Sequence, residues 1–366
     1  MMEILNSKKG LFLMGILTGL VIIMLAIAGN PKNMAICAAC FIRDMAGAMR
    51  WHNAAVVQYF RPEIVGIILG ALVISIFTKE YKATSSSSLI IRFIGGITMV
   101  IGALVFLGCS TRMVLRMAAG DISAYVGLIG LTLGVGTGLF FLKKGYSLGK
   151  KTEIKKEIGY IFPLILSILL ILSITTTLFA KSEKGPGSIH APFIISLVGG
   201  ILFGMIAQKT RMCFTGSFRN LFFMKNFEMI MPILGMFVAV LAYNMISGNF
   251  KIVSYGPIAH PHVIWNILGM YVVGLSGTLL GGCPVRQIVL AGQGSIDSVA
   301  VVAGMFVGSA LAHNFKIASA AAAKATEKSP AVAGGPGING QIAIFICIAV
   351  LLVIGFLGSR KGKQDA

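Results

Sequence analysis

Ten times along this chain the sequence runs through 16 to 23 predominantly apolar residues. A helix needs ~20 such residues to cross a hydrocarbon core ~30 Å thick. Within lipid the backbone must satisfy its own hydrogen bonds, so helices or closed barrels are the only spanning forms. The runs lie at 10–29, 62–78, 89–108, 122–142, 158–180, 192–207, 228–247, 263–282, 296–313 and 340–358. They predict an all-α polytopic membrane protein. With 56% hydrophobic and 12% charged residues, the 366-residue chain has too little polar material to cover a soluble surface. Its 45 glycines suit closely packed membrane helices.

The net charge of +19 sits mostly in short loops between the runs, which makes it topology information under the positive-inside rule and not a nucleic-acid footprint. With Lys8 and Lys9 cytoplasmic, alternation puts the other basic groups inside too. These are Lys79 and Lys82, the cluster Lys143, Lys144, Lys150, Lys151, Lys155 and Lys156, the segment Lys209 to Lys225, and the tail with Arg360, Lys361 and Lys363. Both termini are thus expected in the cytoplasm of a cell whose inner membrane holds the protein. The basic start and the Ala26/Ala28 pair imitate a signal peptide, but so many spans follow that this stretch reads as a retained first helix.

Four apolar stretches are too short to cross: near 37–49, 109–119, 213–224 and 284–292, each beginning at or beside a cysteine. Short, glycine-interrupted pieces at membrane depth predict re-entrant helices lining a cavity. Shifting the chain by 174 residues lays "GCSTRMVLRMAAGDI" over "GCPVRQIVLAGQGSI". Cys109, Arg112, Gly120, Gly130 and Gly134 then fall on Cys283, Arg286, Gly294, Gly304 and Gly308. A shift of 176 lays Cys37 and Arg43 over Cys213 and Arg219. Five spans separate each element from its copy, an odd number, so the copies would be inverted. The expected organisation is a first membrane repeat (1–142), a basic cytoplasmic loop with a linking helix (143–191), an inverted second repeat (192–313), and an Ala/Gly-rich linker with a last helix (314–366).

A thiol at a helix N-terminus sees unsatisfied N–H groups and the positive dipole end, and an arginine three residues on shares its face. Arginine at membrane depth is costly and marks a pathway or a partner. Cys109 and Cys283 with Arg112 and Arg286, together with Cys213, Cys37 and Cys40, therefore predict a pathway for a small anion carrying a soft, sulfur-like atom. Arg43 and Arg219 lie six residues from their cysteines, about 240° round a helix, and read as anchors or as anion contacts. Cys37 and Cys40 form a C-x-x-C, for which a disulfide or metal role is the alternative; Gly216 stands where Cys40 would repeat. Cys347 reads as a core hydrophobe, His260 and His262 as a solvated outer loop, and the paired glycines as packing faces. No metal site, cofactor motif, phosphate loop or hydrolytic triad is seen, and no enzyme is expected.

"GGCPVRQIVLAGQG", "RMCFTGSFRN", "ACFIRDMAGAM" and "GCSTRMVLRMAAGD" resemble the YeeE/YedE family of bacterial membrane proteins, and "NPKNMAICAACFIRD", "VVQYFRPEIVGIILGA", "SEKGPGSIHAPF" and "LAHNF" resemble its YedE-like branch, taken for selenium transporters. The better understood branch takes up thiosulfate through a helical pseudo-twofold hourglass, cysteines at short-helix ends handing the ion along. The resemblance implies a transporter for a small selenium or sulfur anion in the lipid bilayer, with thiosulfate uptake as the alternative. A further alternative is a carrier whose cysteine passes a persulfide or selenosulfide to a cytoplasmic acceptor protein, and a last one is a redox or assembly protein built on the C-x-x-C.

Overall fold

Local signals start the helices. Ser7 caps the first, its hydroxyl accepting from the Gly10 N–H at 3.1 Å. Pro62 and Pro284 stand in first turns, where a missing N–H costs nothing. A computed structural model describes residues 7–323 and 331–364. In chain order it contains α1 (Lys8–Ile27), α2 (Ala38–Ala48), α3 (Pro62–Phe77), α4 (Leu89–Phe106), α5 (Ser110–Met117), α6 (Ile122–Lys143) and α7 (Lys156–Thr175). Then follow α8 (Phe193–Lys209), α9 (Phe214–Met224), α10 (Met231–Ile246), α11 (Val263–Leu279), α12 (Pro284–Gly292), α13 (Ile296–Asn314) and α14 (Ile338–Gln364). The middle of the Ala/Gly-rich linker, 324–330, and the side chains of Arg360, Lys361 and Lys363 lie outside the described residues.

The chain is an all-α polytopic membrane protein, with nine stretches among the described residues long and apolar enough to cross a bilayer. In three of them a long helix is counted together with the short one after it. The run expected at 62–78 is α3, whose 16 residues span only about 24 Å. Its entry from Pro62 to Ile68 is buried in protein, so it need not match the full lipid thickness.

The long helices pack in two kinds of pair. α6 lies along α11 and α4 along α13; α3 lies along α8 and α1 along α10. Exchanging α1 with α8, α3 with α10, α4 with α11 and α6 with α13 turns each contact into its counterpart. The same exchange, with α2 for α9 and α5 for α12, turns the α2–α13 and α3–α12 contacts into α9–α6 and α10–α5. α4 also touches α11, and α1 touches α8, as helices beside a two-fold axis do.

Bare backbone makes these approaches possible. A methyl group on Gly130 or Gly134 would strike the carbonyls of Ile267 or Tyr271 across the α6–α11 seam. On Gly304 it would strike the Phe93 carbonyl, and on Gly308 the Val100 side chain, across the α13–α4 seam.

The turns into the short helices repeat as well. Leu107, Arg211 and Gly281 take positive φ (61°, 52° and 78°), each two residues ahead of a cysteine. That left-handed step ends the preceding long helix and turns the chain into the short one. Gly120 and Gly294 follow α5 and α12 at φ 88° and 103°, a conformation that side-chain-bearing residues avoid. Past Gly294, Thr84 bridges to Ser295; past Gly120, Val253 bridges to Asp121. A two-residue antiparallel ribbon, β1 (Thr84–Ser85) with β2 (Thr152–Glu153), lies on the basic face, beside the exposed Lys82–Glu153 pair at 2.9 Å.

Candidate functional site

Each short helix is capped by a cysteine in extended conformation: Cys37, Cys109, Cys213 and Cys283. The caps come in two matched kinds. Cys37 and Cys213, at φ −142° and −157°, accept from the backbone N–H three residues on, Cys40 at 3.5 Å and Gly216 at 3.2 Å. Cys109 and Cys283, at φ −84° and −67°, make no such cap. Cys40 thus contributes its backbone to the first cap, the part that Gly216 plays in the second.

Tertiary packing joins one cap of each kind. Cys37 Sγ lies 3.6 Å from Cys109 Sγ, and Cys213 Sγ accepts from the Cys283 N–H at 3.4 Å. All four are buried, and all six cysteines are free thiols. α5 leads from Cys109 to Asp121 at one end of α6, while α12 leads from Cys283 to Ser295 beside the ribbon on the basic face. At 1.5 Å per residue, these eight- and nine-residue helices are about 12 to 14 Å long.

The arginines divide. Arg112 is fully buried, and no carboxylate is among its partners. It donates to the carbonyls of Asn33 (3.2 Å), Pro257 (3.2 Å), Ile258 (3.0 Å) and Leu107, and lies 3.8 Å from Cys40 Sγ. Arg286 donates to Gln208 Oε1 at 3.0 Å, also without a carboxylate. Arg43 pairs with Asp44 at 2.7 Å, and Asp44 also holds Arg61 at 2.8 Å. Arg219 pairs with no carboxylate among the described residues and lines a cavity.

Two further buried acids hold arginines. Asp121 holds Arg116 at 2.7 Å and Asp297 holds Arg92 at 3.3 Å. Arg61, Arg92 and Arg116 escaped sequence reasoning, although an arginine in or beside an apolar run is itself a signal. His260 corrects another expectation. It is fully buried, not solvated, with Nε2 2.9 Å from the Val105 carbonyl, because the 247–262 segment folds inward onto α4. Cys347 is buried within α14.

Two cavities open at opposite ends of α6. One, about 680 Å³, is lined by Asn33, Arg116, Asp121, Lys251 and Pro257 among others. Asn33 and Pro257 are also partners of Arg112, so that arginine is bonded to two residues of the cavity lining and lies 3.8 Å from Cys40 Sγ. The other, about 210 Å³, lies at the basic face and is lined by Arg92, Arg219, Lys151, Tyr146 and the Leu280–Gly281 backbone, two residues from Cys283. The buried Tyr146 hydroxyl has no hydrogen-bond partner, and burial pushes its pKa well up. At the exposed rim, partial desolvation and then the charge of Arg92 hold the Lys151 ammonium below its ordinary pKa. An anion there would find cations and one free O–H donor.

Residues 209–365 match a family model described as sulphur transport, a segment that contains Cys213, Arg219, Cys283 and Arg286. Over those residues, less than half of its length, the chain is similar to the sulphur-transport family. A stretch of 106 residues is 30% identical to the thiosulfate transporter TsuA of Escherichia coli (strain K12). It covers 28% of this chain and 29% of that relative.

Proposed function

We propose that the protein carries a small sulfur anion of the thiosulfate class across the membrane, along a path through the two thiol pairs. The supporting observation is the burial of Cys37–Cys109 and Cys213–Cys283 within the helix bundle, with one cavity at each end of α6. In this reading the two halves are inverted repeats, and the basic face with both termini is cytoplasmic. The anion enters through the larger cavity, where Lys251 and Arg116 offset its charge, and Arg112 stands behind the lining residues Asn33 and Pro257. Cys109 and Cys37, then Cys213 and Cys283, donate S–H hydrogen bonds to its soft terminal sulfur. Soft S–H donors suit a polarisable sulfur better than the hard oxygens of a carboxylate or phosphate, which supports this substrate class. The anion leaves past Arg286 into the smaller cavity. Nothing in this passage needs a covalent bond to be made or broken, so the protein acts as a transporter and not as an enzyme.

The test is uptake of sulfur-labelled thiosulfate by proteoliposomes. Cys109→Ala and Cys283→Ala should each abolish it while leaving folding and insertion intact. Wild-type uptake in both variants would refute the thiol path. Selenite as competitor reads the selenium side of the family resemblance: equal displacement extends the substrate class to selenium, and none confines it to sulfur.

A further inference from the structure

Four carboxylates are buried among the described residues: Asp44, Glu63, Asp121 and Asp297. Three of them pair with arginine, and Glu63 does not. It is completely buried in the first turn of α3. Its Oε1 accepts from Asn30 Nδ2 at 2.7 Å and from Ser196 Oγ at 3.0 Å, and its Oε2 has no hydrogen-bond partner. The helix N-terminus offsets part of a negative charge. It leaves one oxygen of a buried acid bare, in a chain where burying a charge without a counter-ion is costly.

We propose that Glu63 is a proton-binding site, taking up and giving back one proton in each transport cycle. The carboxylate accepts the proton on its bare Oε2 and becomes a neutral acid, which ends its need for a counter-ion. The inference rests on the transport reading above. A dianion driven inward is opposed by an inside-negative potential; one proton carried with it halves the net charge that moves and lets an inward pH gradient contribute, and the arginines of the path, fixed in the protein, cannot serve as that mobile cation.

A connection to the path is present. The Asn30 amide that donates to Glu63 also donates to the Ala35 carbonyl at 2.9 Å, two residues before Cys37. Charge on Glu63 therefore acts on the segment that sets the outer thiol pair. In this proposal the proton reaches Glu63 from the side of the loop before α8. Asn30 Oδ1 accepts from the Ala191 N–H at 2.8 Å, and the preceding residue, His190, stacks on Tyr59 at 3.9 Å beside a cavity of about 220 Å³. The ionisable groups around Glu63 are Arg61 and Tyr59 on its own segment, Asp44 with Arg43 on α2, and His190 on the loop before α8. α1 and α8 face it with neutral groups, Ser196 coming from α8.

Glu63→Gln tests the site, since the amide keeps an acceptor for Asn30 and Ser196 and imitates the protonated acid. In proteoliposomes the variant should lose accumulation driven by an inward pH gradient, by at least tenfold, yet keep thiosulfate exchange at zero gradient. Unchanged gradient-driven accumulation would overturn the proposal, as would loss of exchange and accumulation together in a folded variant. A second readout is independent of the substrate. An infrared difference spectrum between acid and alkaline buffer should contain a protonated-carboxyl band that Glu63→Gln removes. If that band is equally strong in both proteins, the proton site is wrong whether or not thiosulfate is carried. If it vanishes in the variant while wild type carries no thiosulfate, the proton site holds and the transport reading falls.

Discussion

Asp44→Asn should be among the most damaging single changes in this protein. Asp44 is fully buried and divides its oxygens between two guanidinium groups: Oδ1 lies 2.7 Å from Arg43 Nη2, and Oδ2 lies 2.8 Å from Arg61 Nη2. Arg61 retains only the Pro186 and Ile189 carbonyls, at 2.8 and 3.2 Å, and the rings of Phe41 and Tyr59. Breaking a buried ion pair from one side costs about 3–5 kcal/mol, because the remaining charge is left uncompensated. Here two cations lose one anion, so a loss of at least ~3 kcal/mol is expected, roughly a hundredfold in the folding equilibrium. The assay is reversible denaturant unfolding in mixed micelles, followed by circular dichroism. Lys82→Ala, which breaks the exposed pair with Glu153, serves as the control and should leave the midpoint in place. Because Asp44 sits on the helix that Cys37 caps, the variant should also let a membrane-permeant maleimide react faster with Cys37. A loss below ~1 kcal/mol, with maleimide reactivity unchanged, would refute the idea that this triad sets the outer thiol pair.

Oxidation by copper phenanthroline should join Cys37 to Cys109, whose sulfurs need to close from 3.6 Å to ~2.0 Å, and block uptake until a dithiol reductant restores it. Protection by either alanine variant checks the pairing, and full uptake with the bond formed would contradict the path. Arg219→Gln with Tyr146→Phe should leave folding unchanged and raise the thiosulfate concentration for half-maximal release on the basic face about tenfold, measured as efflux from inside-out vesicles; release at wild-type affinity would remove that cavity from the path. Gly130→Leu and Gly304→Leu should each cost more than ~1–3 kcal/mol in the same micellar unfolding assay, since the opposing atoms are backbone carbonyls that cannot move aside; midpoints like wild type would contradict the close seams.

Much of the scaffold was legible because a bilayer leaves a chain few options. Hydrophobic length alone located the long helices to within a few residues, and the expected short stretches at 37–49, 109–119, 213–224 and 284–292 fall on α2, α5, α9 and α12. The reason is local: an apolar run must bond its own backbone, and a thiol or a proline at a helix start acts within one turn. Partnership was not legible, since it is fixed by chain crossings 70 or more residues apart. Cys37 meeting Cys109, Cys213 meeting Cys283 and Arg92 reaching Asp297 all depend on which helices lie side by side. The same packing buried His260, left Glu63 as the buried acid without a cation, and placed Tyr146 with a free hydroxyl beside Arg219. Composition could place charges near the membrane. It took the folded chain to decide which of them are neutralised.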